Sequence, residues 1–221
     1  MKKTLLILPT LNEGKNLEIL IDRVLKTKHK LDILIINDDT NEESLKYILK
    51  RLGIGKAQKD GLNFAYRKKY DYAITMDTDL AHHPRYFNNL LTNIKKNHLI
   101  VGSRFINKHS TTGISSFRNF LSNSAFFVTR LLFRHTFDST NSFRCYNLKL
   151  IEMEFLNFCK SNDYDFFFTS MAYFNKKNYL IRQFPMKIYG RKNGYSKMRI
   201  SHILKSISMM GAVYFKILFI R

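Results

Sequence analysis

Three short apolar runs, residues 3–8, 31–36 and 72–76, each give way to polar side chains, and stretches of helical periodicity lie between them. Alternating strand and helix predicts an α/β fold with a mostly parallel sheet and right-handed crossovers. Ligands of such sheets bind beyond the carboxyl ends of the strands. Here those ends carry Pro9-Thr10-Leu11-Asn12-Glu13, Asn37-Asp38-Asp39-Thr40 and Asp77-Thr78-Asp79.

The third of these carries the sharpest chemistry. Side chains two apart in a strand face the same side, so Asp77 and Asp79 are expected to project together where the strand leaves the sheet. Paired carboxylates suit a hard cation, Mg²⁺ or Mn²⁺, which keeps positions open for the phosphate oxygens of a substrate. A plainer reading competes on spacing alone, with Asp79 capping a helix that starts near Pro84.

Helices are expected over residues 15–27, 42–52, 56–69 and 84–97, with a glycine-spaced loop at 53–55. A short strand at 99–101 ends in Gly102-Ser103-Arg104. Residues 114–134 read as an amphipathic helix with Ile114, Phe117, Leu121, Val128 and Leu132 as its apolar stripe, and Arg118 and Ser122 share one flank of it. A polar turn at 138–146, an aromatic helical stretch at 153–174 and a strand at 179–188 follow. A basic loop, Gly190-Arg191-Lys192-Asn193-Gly194-Tyr195-Ser196-Lys197, comes next. From Arg199 the pattern is helical, and between residues 206 and 220 only Lys216 is charged. That run is shorter than the roughly 20 residues a bilayer span needs, so an interfacial anchor is the expectation. The chain divides into a domain at 1–198 and an amphipathic, membrane-interface helix at 199–221.

The 221 residues suffice for one sizeable core, and 37 Lys and Arg against 17 Asp and Glu leave a formal charge of +20. Such a balance points to an anionic partner, whether a phosphorylated substrate, anionic lipid or nucleic acid, although it also suits a merely solvated surface. Cys145 and Cys159 sit in apolar surroundings without metal-ligand spacing, which predicts reduced thiols in a cytoplasmic protein. The opening MKKTLLILPT fits a first strand better than a secretory segment, because Pro9 interrupts its short apolar run.

Taken in order, these strand ends resemble family 2 inverting glycosyltransferases of the GT-A fold, and among them the polyprenyl- and dolichyl-phosphate mannose synthases. The likeness covers nearly the whole chain. Residues 9–13 are similar to the Pro-Thr-Tyr-Asn-Glu that opens these enzymes. Asn37-Asp38-Asp39-Thr40 is similar to their Asp-Asp-x-Ser, Gly55 and Gly61 to the glycines before the metal motif, and Gly102-Ser103-Arg104-Phe105 to Gly-Ser-Arg-Tyr. Asp77-Thr78-Asp79-Leu80 with His83-Pro84 resembles Asp-Ala-Asp-Leu and its trailing His-Pro. Arg118 and Ser122 reproduce an Arg-x-x-x-Ser spacing. Asp138, Thr140, Phe143 and Arg144 follow Asp-x-Thr-x-Gly-Phe-Arg, and Pro185, Arg191, Gly194, Ser196 and Lys197 follow Pro-Ile...Arg-x-x-Gly-x-Ser-Lys.

The resemblance implies a metal-dependent transfer of a hexose, mannose first and glucose next, from GDP-mannose or UDP-glucose to a polyprenyl monophosphate. It implies nucleotide-sugar contacts from Pro9, Thr10, Asn12, Glu13, Asp38, Asp39, Gly55, Asp77 and Arg104, and metal ligation by Asp77 and Asp79. It implies catalytic roles for Asp79, Arg118, Arg191 and Lys197, the last three joining Ser122 around the acceptor phosphate. A location peripheral to the cytoplasmic face of a membrane follows, where a membrane-spanning partner would fit. The sequence departs from the pattern at Ser142, where the family has glycine, at Ala81, at Thr169, where a glutamate is usual, and at Asn37. The strand usual between Thr40 and Gly55 also has no counterpart in the pattern. Three other readings stay open: a soluble transferase acting on a glycan hydroxyl with Asp163 or Asp165 as base, a non-catalytic protein of this fold, and a basic nucleic-acid-binding module.

Overall fold

In a computed structural model of the chain, the structure describes residues 2–11, 13–37, 53–107, 110–190 and 200–219, without the side chains of 117–118 and 200–206. Its strands are β1 (Thr4–Thr10), β2 (Asp32–Asn37), β3 (Tyr72–Thr75), β4 (Leu99–Ser103), β5 (Thr111–Thr112), β6 (Arg144–Asn147), β7 (Ile181–Pro185) and β8 (Ile188–Tyr189). The helices are α1 (Gly14–Leu25), α2 (Ile54–Arg67), α3 (Phe87–Asn93), α4 (Ser116–Phe133), α5 (Phe155–Phe158), α6 (Asp165–Lys176) and α7 (Ile200–Leu218). Six strands form one sheet in the order β2-β1-β3-β6-β4-β7, and β5 pairs with β8 in a second, two-stranded sheet. Parallel pairing joins β2, β1 and β3, and also β4 and β7, while β6 runs antiparallel between β3 and β4.

β1 lies inside the sheet and is buried along its whole length, which is why its sequence is a continuous apolar run rather than an alternating one. Its Leu5 and Ile7 face one core layer, with Leu62 and Ala65 of α2 and the aromatic cluster of α5 and α6. Leu6 and Leu8 face the other, with Leu20 and Val24 of α1 and Phe87 and Leu90 of α3. Gly61 is set where α2 presses on β1, since a Cβ there would lie 2.5 Å from Ile7 Cγ2.

Several expectations change in detail. The 84–97 helix is broken into 3₁₀ turns at Pro84–Tyr86 and Ile94–Lys96 around α3. Gly55 is helical rather than looped: it sits in the first turn of α2, where a Cβ would meet the Asp163 carbonyl at 2.6 Å. The single strand expected at 179–188 is divided between β7 and β8, which belong to different sheets. The predicted helix at 42–52 lies outside the described residues, as does the stretch in which the missing strand would fall. Cys145 and Cys159 are both buried free thiols, and burial pushes the Cys159 thiol up to about 12.

α4 departs furthest from its sequence reading. Its buried line runs through Ala125, Thr129, Leu132 and Phe133, whereas Val128 of the expected stripe is exposed. α7 packs on α6 and α4, sharing Phe133, Phe168, Ala172, Met210 and Val213 as a third core cluster. None of the described helices is long and apolar enough to cross a membrane.

His135, just beyond α4, is buried beside Phe133 and Phe137, and burial lowers its imidazole to about 4. Above about pH 6.5 it is neutral whether the chain is folded or unfolded; between there and about 4 only the unfolded chain takes up the proton. Stability is therefore expected to fall as pH drops through this window, by roughly 3 kcal/mol from this group. Urea unfolding of wild type and His135→Phe between pH 7 and pH 4 checks it, the variant lacking that part of the slope.

Candidate active site

The carboxyl ends of β1 and β3 are laced together just before the paired aspartates. Met76 N–H donates to the Ile7 carbonyl, and the Thr78 hydroxyl donates to the Pro9 carbonyl at 3.1 Å. β3 has ended at Thr75, so Asp77 and Asp79 lie in a turn and not on the alternating positions of a strand. The turn is made by Leu80, whose φ of 64° is left-handed, and by Asp79, whose Oδ1 accepts the Ala81 N–H at 3.1 Å. Asp79 does not cap the helical turn at Pro84. His83 does, its Nδ1 accepting the Arg85 N–H at 3.1 Å.

His82, for which the sequence reading assigned no role, braces this turn from within. Its ring is buried, stacks on Phe143 at 5.2 Å, and its Nδ1 accepts the Asp77 N–H at 3.4 Å while lying 4.0 Å from Asp77 Oδ2. The only sequence signal was its place three residues after Asp79. Beside it the Asp77 side chain remains 36 % exposed. Two oxygen donors on one short turn, reachable from solvent, fit Mg²⁺ or Mn²⁺ with the remaining positions filled by a diphosphate and water. Among the described residues no group of three or more His, Cys, Asp and Glu side chains gathers as a self-sufficient metal cage.

Arg104 leaves the end of β4 and turns onto Asp138. Its Nε and Nη2 meet Oδ2 and Oδ1 at 2.8 Å each, its backbone N–H reaches Oδ2 at 3.2 Å, and Nη2 also donates to the Thr140 hydroxyl. Burial alone would raise the Asp138 carboxyl, but the Arg104 guanidinium outweighs it and holds the group below the usual carboxylate range. Burial likewise works to lower Arg104, and Asp138 with a smaller part from Asp77 turns the net shift upward. The Asp77 charge thereby relates this ion pair to the aspartate turn. Arg104 is thus committed to Asp138, and it contributes to the site as a fixed positive charge.

The turn at 138–144 is built around a second arginine. Arg144 is fully buried, and its guanidinium donates to the carbonyls of Asn141, Ser139 and Phe167 and to the Ser170 hydroxyl, each at 2.7–2.9 Å. With no exposed surface it holds the turn together and does not touch substrate. Thr169, at the position where a glutamate is usual, is buried with its hydroxyl unpartnered. Ser142 keeps an ordinary negative φ, so the missing glycine reshapes nothing there. Gly102 cannot be replaced as easily, since its Cβ would fall 2.1 Å from Met186 Sδ.

The strand division at β7 and β8 sets the place of Tyr189 and Gly190, which precede the basic stretch in the sequence. Tyr189 N–H donates to the Ala81 carbonyl at 3.4 Å, Gly190 N–H to the Thr112 carbonyl at 2.7 Å, and the Tyr189 hydroxyl accepts from Arg85 at 3.1 Å. Tyr189 therefore lies beside the turn that carries Asp79, one residue short of Gly190, the last residue described before the basic stretch. Pro9, Thr10, Glu13 and Asn37 lie at the neighbouring strand ends, with Asn16 Nδ2 donating to Glu13 Oε2 at 2.7 Å. Ser122 is half-buried on α4, whose backbone includes Arg118. Asn12, Asp38, Asp39, Arg191 and Lys197, and the side chain of Arg118, lie outside the described residues. Gly55 packs against the 162–163 backbone instead of lining an opening.

A mostly parallel sheet with an acidic turn beyond its third strand, buttressed by a basic strand end, is the GT-A glycosyltransferase architecture. Residues 5–156 match glycosyl transferase family 2, and the chain belongs to that family of enzymes. Among curated proteins, polyprenol monophosphomannose synthase of Mycolicibacterium smegmatis is 25% identical over 93% of this chain and 84% of its own length. Undecaprenyl-phosphate mannosyltransferase of Micrococcus luteus is 24% identical over 89% and 87%. Among solved structures, glucosyl-3-phosphoglycerate synthase of Mycobacterium tuberculosis with Mn²⁺ and UDP-glucose gives a TM-score of 0.71 at 13% identity, covering 97% of this chain and 79% of that one. That last likeness is one of fold.

Proposed function

We propose that this enzyme transfers mannose from a nucleotide sugar, GDP-mannose before UDP-glucose, to a polyprenyl monophosphate at the cytoplasmic face of a membrane. The observation that supports the reading is the Tyr189–Ala81 hydrogen bond, because in the sequence Arg191 to Lys197 follow shortly after this contact with the turn of the paired aspartates. The names of the two mannosyl-transferring relatives support the sugar and the lipid.

Asp77 and Asp79 hold the divalent cation, Mg²⁺ or Mn²⁺, while Thr10, Glu13, Asp38 and Asp39 line the nucleotide. A bound cation neutralises the charge that develops as the donor's diphosphate departs. The acceptor phosphate is already an anion, so it needs orientation behind the anomeric carbon more than deprotonation. Arg118, Ser122, Arg191 and Lys197 supply that hold, with guanidinium groups suited to bidentate contact with phosphate. A hydroxyl acceptor would need a base, and Asp165 is a poor one: it is buried and accepts the Ser161 hydroxyl at 2.5 Å.

The test is transfer from labelled GDP-mannose and UDP-glucose to a short-chain prenyl phosphate with Mg²⁺ or Mn²⁺. Metal-dependent mannosyl lipid is the expected product. No lipid-linked sugar from either donor, with nucleotide binding intact, would overturn the proposed acceptor.

A further inference from the structure

α4 carries two apolar faces, and only one of them is used. Phe120, Phe127 and Leu131 recur at i, i+7 and i+11, which at 100° per residue is a single line along the helix, opposite the buried line of Ala125, Thr129 and Phe133. The outward line of a surface helix is ordinarily polar. Here all three side chains are at least 65% exposed. α7 repeats the pattern: Met210 and Val213 face the core, while Phe215 and Phe219, four apart, face away from it and are 64% and 84% exposed. The two helices pack on α6 and on each other, so the bare aromatic lines belong to one layer of the molecule.

In the sequence, acidic residues are absent from the stretches that carry both helices. Residues 80–137, which include α4, and residues 166–221, which include α7, contain nineteen Lys and Arg and not one Asp or Glu. Those two stretches account for nineteen of the twenty formal charges, leaving the rest of the chain close to neutral. Arg130 and Arg134 flank the α4 line and are exposed.

We propose that the outward faces of α4 and α7 form a docking surface for an anionic lipid leaflet. Large aromatic side chains enter the interface between headgroups and acyl chains, and the flanking cations meet lipid phosphates. A second copy of the chain fits the apolar surface but not the charge, because two carboxylate-free faces would oppose each other. The inference rests on the membrane location proposed above and names the face and the headgroup charge that serve it. The acceptor lipid would then be presented from the leaflet on which the enzyme lies.

The experiment is co-sedimentation of the full chain with vesicles of phosphatidylcholine, with and without phosphatidylglycerol. Wild type, Phe127→Ser/Leu131→Ser and Arg130→Gln/Arg134→Gln are compared, with thermal melts as the folding control and sedimentation velocity for self-association. Wild type is expected to bind the anionic vesicles at least tenfold more tightly than the neutral ones, the arginine pair to lose about thirtyfold on the anionic vesicles, and the apolar pair to lose binding to both. Equal wild-type binding to both vesicles, or none to either, overturns the proposal. So does a wild-type dimer that Phe127→Ser/Leu131→Ser dissolves. Transfer to a short prenyl phosphate in solution separates the two readings: both docking variants keep it, whereas its absence in wild type with vesicle binding intact sinks the proposed reaction and leaves the docking face standing.

Discussion

Asp79→Asn is expected to lower sugar transfer by roughly a thousandfold while leaving the fold in place. The substitution keeps an oxygen able to accept the Ala81 N–H, so the turn at Leu80 retains its hydrogen bond. What it removes is one of the two negative charges proposed to hold the cation, on a turn with no third acidic ligand among the described residues. Titration of nucleoside diphosphate with and without Mn²⁺ provides the check: metal should tighten binding to wild type and do little for the variant. A variant that transfers sugar normally would show that Asp79 is not a metal ligand.

Asp138→Asn is expected to cost roughly 3 kcal/mol of stability at neutral pH, because it strands the Arg104 charge after removing its bidentate partner. The Arg104 side chain is 17 % exposed while Asp138 is fully buried, so water relieves part of the loss and the lower end of the usual range applies. The pH dependence has a definite sign. A carboxylate whose folded pKa is lowered stabilises above its ordinary value near 4 and gives up that contribution as acid protonates it in the fold. Urea unfolding at pH 7 and below pH 4 should therefore show a gap between wild type and variant that closes on acidification. A gap that persists in acid would assign the effect to packing.

The sheet was readable because burial on both faces writes itself as continuous apolar runs, and the strand ends were readable because polar residues interrupt those runs abruptly. Where the reading went astray, tertiary contacts decided. The outward phenylalanines of α4 are as apolar as its buried residues, so periodicity could not say which line met the core. Asp77 and Asp79 looked like strand partners because nothing local announces a left-handed leucine. Gly55 looked like a loop glycine although its role is to let α2 approach the 162–163 backbone from a hundred residues away. The motif at 138–144 marked an important turn, but a linear pattern could not separate Arg104, paired with Asp138, from Arg144, enclosed by carbonyls. His82 was passed over for the same reason: only the folded chain sets it under Asp77.

The two arginines also set the order in which acid would take the molecule apart. Carbonyl oxygens do not titrate in the range where carboxylates do, so the enclosure of Arg144 survives conditions that protonate Asp138. Acidification therefore loosens the end of β4 nearest the aspartate turn while the deeper turn keeps its arginine. Activity is expected to fail as Asp138 is protonated, in acid below the range in which His135 has already weakened the fold, with the Arg144 turn still closed.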